Sequence, residues 1–191
     1  SNTDAVLAHF AADEHANATA KSLAARYSVA QPLAAVASVR FSSARKWSSF
    51  SFAKPAGSGH ETWVFGAPEF TLSEAGDGHQ DALWRASEIS ATGRRVLVLA
   101  VAQELPRDSE TLPSALKPVA LVTFKERVRP DAAETIEFFT KQGVAVKVIS
   151  GDNPATVTAV ATEAGVIANG QTGFDARNLP EELDELATVL E

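Results

Sequence analysis

Neither cysteine nor methionine occurs among the 191 residues. Without cysteine, disulfides and thiolate metal sites are excluded. Without an initiator methionine and with an abrupt start, the chain is expected to be a piece of a longer polypeptide. Apolar runs of about 18 residues are also missing, so no segment reads as a membrane span. The N-terminus lacks the basic head, apolar stretch and small-residue cleavage site of a signal peptide. Histidine is scarce, and His9, His15, His60 and His79 are scattered without the clustered spacing of a zinc site. Basic residues are outnumbered, 17 Lys and Arg against 24 Asp and Glu, for a net charge of −7. A general nucleic-acid binder carries the opposite sign, so no nucleic-acid partner is expected, although a local basic pocket for phosphate remains compatible.

What is present is globular in character. The chain is 45% hydrophobic and 21% charged, enough apolar material for a core in one large or two small domains. Residues 1–12 show little pattern and read as a lead-in strand or loop. Asn17 to Tyr27 reads as a helix, Ala34 to Phe41 as a strand, and Lys46 to Phe52 as a second strand with alternating apolar positions. The glycine- and proline-bearing Ala53 to His60 is a turn, and Glu61 to Phe65 returns as the other arm of a hairpin. Pro68 suits the first position of a short helix. His79 to Ala91 reads as a helix stopped by Gly93, Arg95 to Ala102 as an apolar strand, 103–116 as a polar loop, and Lys117 to Phe124 as a strand.

The pattern then changes. Pro130 to Gln142 has proline at its start, acids in its first turn, Lys141 in its last and Gly143 beyond, a complete set of helix signals. Val144 to Ile149 reads as a strand, Pro154 to Ala164 as a helix stopped by Gly165, and Leu179 to Glu191 as an acidic helix. Strand and helix in alternation predict a parallel α/β unit with right-handed crossovers. A boundary is placed near residues 122–127, giving domains 1–124 and 125–191. The fold class expected is α+β: a mostly antiparallel sheet with flanking helices, followed by a partial parallel α/β segment.

The loop Ser150-Gly151-Asp152 falls at the carboxyl end of the predicted parallel strand, where open α/β sheets bind ligands. The helix that follows points its first N–H groups at the same place and favours an anion. Ser150 can donate to phosphate. Asp152 either caps the helix or interacts with a metal-bound phosphate.

Around that loop, the stretch VRPDAAETIEFFTKQGVAVKVISGDNPATVTAVATEAGV resembles the phosphorylation domain of the cation-transporting P-type ATPases, a haloacid-dehalogenase-like α/β fold. Ser150, Gly151 and Asp152 match that family's Thr-Gly-Asp loop, with serine keeping the hydroxyl. Arg129 matches its arginine, although Glu126-Arg127-Val128-Arg129 replaces the usual Asp-Pro-Pro-Arg.

The earlier part is similar to the same family's nucleotide-binding domain. Gly66-Ala67-Pro68-Glu69 matches a Lys-Gly-Ala-Pro-Glu signature, with Phe65 in place of lysine. The resemblance implies that Phe65, Gly66 and Ala67 line an adenine site, glycine letting the backbone approach a flat ligand. Phe65 serves equally as a core residue. In RFSSARKWSSFSF, Phe41 matches an aromatic that stacks on adenine and Lys46 a lysine at fixed spacing; Ser43 stands where the family often has a base. Stacking contributes about 1–3 kcal/mol. Phe41 and Lys46 also suit a core aromatic and a solvated lysine. In GRRVLVLA, Arg95 takes the place of an arginine that binds the nucleotide phosphates, Leu97 packs near the base, and Arg94 is the neighbouring candidate. Glu14 aligns with an acid that accepts from the adenine amino group, and also suits a helix-start acid.

The resemblance therefore implies ATP, with Mg2+ in the intact protein, as cofactors. It implies the rest of a pump as partner: membrane helices, actuator domain and the remaining phosphorylation domain. The chain would be a cytoplasmic domain of a cell-membrane protein. The phosphorylated Asp-Lys-Thr-Gly-Thr loop and the metal-binding Gly-Asp-Gly-Val-Asn-Asp loop do not occur, so the chain is expected to bind nucleotide and turn over none. An uncovered apolar edge in the second domain would favour self-association. Two other readings stay open: a phosphatase of the haloacid dehalogenase class, which needs an Asp-x-Asp loop that is absent, and a non-catalytic nucleotide-binding module.

Overall fold

The computed structural model describes residues 2–28, 33–54, 59–72, 79–108, 110–125, 128–168, 170–171, 173–175, 178–180 and 182. The chain forms two compact units, one from Ser1–Ala86 and Val96–Val122, the other from Ser87–Arg95 and Thr123–Glu191.

The first unit is built on a five-stranded sheet in the order β1-β2-β3-β4-β5. The strands are β1 (Ala35–Val39), β2 (Trp47–Ala53), β3 (His60–Gly66), β4 (Arg94–Ala102) and β5 (Lys117–Lys125). The β1–β2, β2–β3 and β3–β4 pairings are antiparallel. The hairpin expected between β2 and β3 is present, closed where the Lys54 amide donates to the Gly59 carbonyl at 3.0 Å. The middle of its turn, 55–58, lies outside the described residues.

Alternation along β2 and β3 gives the sheet two apolar faces. Phe50, Phe52, Trp63 and Phe65 stand on one of them. Helix α1 (Asn2–Ala12) covers this face, with His9 and Phe10 set edge-on to Phe50 at ring separations of 4.5 and 5.0 Å. The expectation of a lead-in strand or loop over residues 1–12 is thereby corrected. Val6, Leu7, Phe10 and Ala11 recur at helical spacing and all four are buried, so a single stripe drives the segment into helix. On the opposite face, Trp47, Val64, Leu72, Val98, Ala100 and Leu116 form a core cluster, with Ala82 and Leu83 packed against it. Burying each such aliphatic or aromatic side chain contributes about 1.5–3 kcal/mol.

Inside this sheet the Ser49 hydroxyl is buried without a partner, whereas the next pair of polar groups is matched. Ser51 and Thr62 face each other across β2 and β3 with their hydroxyls 2.7 Å apart. The Thr62 hydroxyl also lies 2.5 Å from the Glu104 carbonyl, to which it donates. The polar loop after β4 is held by Asp108, whose carboxylate accepts from the Glu110 and Thr111 amides at 2.8 and 2.6 Å. Those bonds hold the Asp108 carboxyl below its ordinary range.

Residues 17–27 form helix α2 (Ala18–Ser22) followed by a 3-10 turn, Leu23–Ala25. Asn17 caps α2 by accepting from the Ala20 amide at 2.9 Å. Pro68 opens helix α3 (Pro68–Thr71), and α4 runs over Gln80–Ser90. The reversal after α4 uses Gly93 at φ +78°, a left-handed conformation that glycine adopts without strain.

In the second unit, helices α5 (Ala132–Lys141) and α6 (Pro154–Glu163) form as the sequence predicts. Between them Val144–Ile149 is not a strand: among the described residues it has no ladder partner, and Ile149 is 98% exposed. This corrects the strand expected over Val144 to Ile149. An isolated apolar segment gains no ladder bonds, so β pattern alone does not make it a strand. Helix α6 does pack: Thr156 is buried and donates to the Arg94 carbonyl at 3.2 Å, and Ala161 is buried. Helix α5 has no buried residue. The acidic helix expected over Leu179 to Glu191 falls mostly outside the described residues, and Leu179, Pro180 and Glu182 are not helical. No described helix is long and apolar enough to cross a membrane.

Candidate functional site

The segment between β1 and β2 carries Phe41 and Lys46. It is a tight turn, closed where the Lys46 amide donates to the Ser42 carbonyl at 2.8 Å and the Ala44 amide to the Ser42 hydroxyl at 3.2 Å. The turn needs a left-handed residue, and Lys46 supplies it at φ +63°. Phe41 is 37% exposed, so part of its ring is open to a ligand.

Lys46 is joined to the Gly66-Ala67 segment through the main chain: the Ala67 amide donates to the Lys46 carbonyl at 3.0 Å. Gly66 is required at this junction. A Cβ there would lie 2.5 Å from the Trp47 Cβ, 2.7 Å from the Lys46 carbonyl oxygen and 2.7 Å from the Thr71 hydroxyl. The space saved by the missing side chain is thus occupied by the protein itself. Phe65 takes the core place that its residue type also suits. It is 3% exposed, with its ring 5.4 Å from that of Phe10, and belongs to the core under α1. Leu97 is half-buried on β4.

Beside the C-terminal end of α1 lies a cleft of about 210 Å³ lined by Asp13, Glu14, His15, Ser38, Val39, Arg40 and Phe50. Glu14 lines it, and its carboxylate lies 2.9 Å from His15 Nε2. Phe41, Lys46, Phe65 and Gly66 do not line this cleft, although Arg40, next to Phe41, does. His9, nearby on α1, is pushed below the ordinary imidazole value by burial, with Asp13 acting in the opposite direction.

The remaining candidates lie in the second unit. Arg95 forms an ion pair with Asp152, and the Asp152 amide lies 3.2 Å from the Ser150 hydroxyl. The capping role open to Asp152 falls to Asn153, whose side chain accepts from the Ala155 amide at 2.9 Å. A carboxylate one residue earlier is left to meet the guanidinium. Gly151 sits between these groups in a bend. Arg129 bonds Asp131 through Nε at 3.1 Å and through its terminal nitrogen at 2.7 Å. That bidentate contact lowers the Asp131 carboxyl and raises Arg129 further.

Arg40 and Arg45 escaped the reading of the sequence. Both flank the Phe41 turn, and two arginines bracketing an exposed aromatic were the available signal. Among the described residues no three His, Asp or Glu side chains converge to hold a metal ion.

Comparison with known proteins supplies the context. Residues 4–190 match the haloacid dehalogenase-like hydrolase family. The chain is 40% identical over 187 residues to the calcium-transporting ATPase CtpE of Mycolicibacterium smegmatis, covering 97% of this chain and 22% of that protein. It is 36% identical over 163 residues to the probable cation-transporting ATPase exp7 of Streptococcus pneumoniae, covering 84% of this chain and 19% of that protein. A plant relative, the putative calcium-transporting ATPase 11, plasma membrane-type, of Arabidopsis thaliana, is 36% identical over 80 residues, 40% of this chain and 7% of that protein. The chain thus spans about a fifth of the length of the first two.

Proposed function

Because the chain belongs to the haloacid dehalogenase-like hydrolase family, we propose that it is the ATP-holding portion of an ATP-driven cation pump. Residues 1–124 are its nucleotide-binding domain and 125–191 the beginning of its phosphorylation domain. Calcium is the ion named for the relatives at 40% identity, and is proposed as the transported ion here.

The observation that carries this reading is the main-chain bond from Ala67 to Lys46. It holds the Phe41–Lys46 turn against Gly66-Ala67, the two segments whose sequences resemble the nucleotide-binding signatures. Phe41 offers a partly open ring for adenine, and Lys46 a mobile point charge for adenine or phosphate. Glu14 is placed to accept from the adenine amino group. Phe65 supports this surface from the core, and Leu97 packs beneath the base. Arg95 is the guanidinium for the nucleotide phosphates, and Ser150, Gly151 and Asp152 form a supporting loop in which Ser150 donates to phosphate and Asp152 meets its metal-bound form. Arg129 is the arginine of that second site. Bound ATP supplies the phosphoryl group, with Mg2+ as its counter-charge. The nucleophile and the main metal ligands belong to the rest of the pump, together with the membrane helices and the actuator domain. This portion would lie on the cytoplasmic side.

The test is a calorimetric or NMR titration of the chain with MgATP, repeated with Phe41→Ala. Binding without hydrolysis is expected, weakened by about 1–3 kcal/mol in the variant. Equal affinity in the two proteins would remove the adenine platform.

A further inference from the structure

The turn that carries Phe41 and Lys46 is held by a residue for which the function proposed above has no part. We propose that Arg45 is a positioning residue for nucleotide: its guanidinium fixes the peptide plane before Phe41 and the backbone of Lys46, without touching the ligand. The inference rests on the nucleotide reading of this turn.

The geometry is that of a clamp. One terminal nitrogen of Arg45 lies 2.7 Å from the Arg40 carbonyl, to which it donates. The other lies 2.8 Å from Glu110 Oε1. The guanidinium carbon stands 5.3 Å from the centre of the Trp47 ring, close enough for a cation–π contact. Trp47 is itself 3% exposed, so this floor is rigid. Glu110 comes from the loop after β4, and its amide is held by Asp108. Arg45 therefore ties the turn to the core below it and to a second loop beside it.

What the clamp fixes is specific. The Arg40 carbonyl and the Phe41 amide share one planar peptide unit. Anchoring that carbonyl sets the direction in which the chain enters Phe41. On the other side, Arg45 directly precedes Lys46, whose left-handed backbone presents its carbonyl to Ala67. One side chain thus restrains the backbone at both ends of the turn that presents the Phe41 ring.

The arrangement is more than a short turn needs. The Arg45 side chain is only 16% exposed, and its Nε is buried without an acceptor. Taking a guanidinium this far out of water is unfavourable unless its bonds repay the lost hydration. Ser43 and Ala44, at the tip of the same turn, are exposed and pack on nothing that demands it. Lysine could not substitute, because a single ammonium lacks the planar fork that serves two acceptors and a ring together.

The experiment uses the 191-residue chain and four variants: Arg45→Lys, Glu110→Gln, Phe41→Ala, and Phe41→Ala with Arg45→Lys. MgATP and adenosine are titrated into each, and thermal unfolding is recorded alongside. Arg45→Lys is expected to weaken both ligands by the same factor, about tenfold, because it acts through the ring platform. Glu110→Gln, at an exposed carboxylate, keeps the fold and weakens both ligands less. The double variant binds no more weakly than Phe41→Ala alone, since the clamp has no platform left to position. A purely structural role would instead lower the unfolding temperature and give additive losses, and that pattern overturns the proposal. So does unchanged affinity in both Arg45→Lys and Glu110→Gln while the parent chain binds ATP and Phe41→Ala does not; the nucleotide reading then survives without the clamp. If the parent chain binds neither ligand, the nucleotide reading fails and takes the clamp with it. Should Arg45→Lys not fold, Glu110→Gln decides between these outcomes by the same comparison of the two ligands.

Discussion

The sheet-bearing unit and the second unit use similar sequence patterns to different effect. In the first, α1 buries five of its residues and the sheet has apolar cover on both faces. In the second, α5 has the stronger helical signals of the two helices, yet buries nothing. Phe138 and Phe139 are 60% and 42% exposed, beside an extended apolar segment that pairs with no described strand. Capping and propensity are enough to form a helix on paper, but packing decides how much it contributes. The first unit carries its own cover. On the proposed function, the second is completed by parts of the pump outside this chain.

The contrast is broken most directly by truncating one phenylalanine in each unit. Phe10→Ala empties a site 2% exposed and in contact with Phe50 and Phe65. It should destabilise the sheet by about 3–5 kcal/mol. Phe139→Ala, at a half-open position, should stay within about 0.5 kcal/mol. Hydrogen exchange of the β2–β4 amides under mild denaturant reads both variants, and equal losses would abolish the distinction.

Gly66→Ala gives the next largest effect. Its new methyl meets a Cβ, a carbonyl and a hydroxyl at 2.5–2.7 Å, and none of these is the far end of a flexible side chain. A loss of about 1–3 kcal/mol is expected, with the Ala67–Lys46 bond released first. Urea unfolding measures the loss, and faster exchange of the Ala67 amide localises it. Full stability in this variant would show that the junction is looser than its geometry.

How much of this was legible beforehand follows from how local each signal is. The β2–β3 hairpin, Pro68 at the start of α3, and α6 with its proline and glycine bounds were readable because a few neighbouring residues dictate them. Helix α1 was missed because its stripe of Val6, Leu7, Phe10 and Ala11 is short, and its meaning depends on Phe50 and Phe65 far along the chain. Val144–Ile149 was misread for the converse reason, a β-like composition with no strand beside it. At the candidate site, resemblance picked out Lys46 and Gly66-Ala67, which the backbone joins. It could not tell that Phe65 is spent on the core, that Gly66 makes room for Trp47 and Thr71, or that Asn153 rather than Asp152 caps α6. Arg45 stood out only as one of two arginines bracketing Phe41, and its part in the turn was hidden because its partner Glu110 lies 65 residues away.

The smallest effect sharpens the account of how tightly α1 is seated. Burial lowers the affinity of folded His9 for a proton, so the unfolded chain protonates first as the pH falls. The stability contributed by neutral His9 is therefore full above about pH 6.5 and is lost as the pH falls from there through the folded value. Urea midpoints at about pH 7.5 and about pH 5.5 should fall further for the parent chain than for His9→Gln. Identical pH dependence in the two proteins would mean that α1 lifts away from Phe50 and Phe52 freely.

The hydroxyls of Ser51 and Thr62 at the centre of the sheet have a consequence of their own. Side chains on a strand change sides with every step, so displacing β3 by a single residue against β2 would turn Thr62 away from both Ser51 and the Glu104 carbonyl. Three polar atoms would be stranded in a dry interior at once, and Trp63 and Phe65 would change faces with Thr62 and Val64. An off-by-one assembly is thus penalised twice, by thirst and by shape, and the refolding chain has a built-in proofreader for its central hairpin.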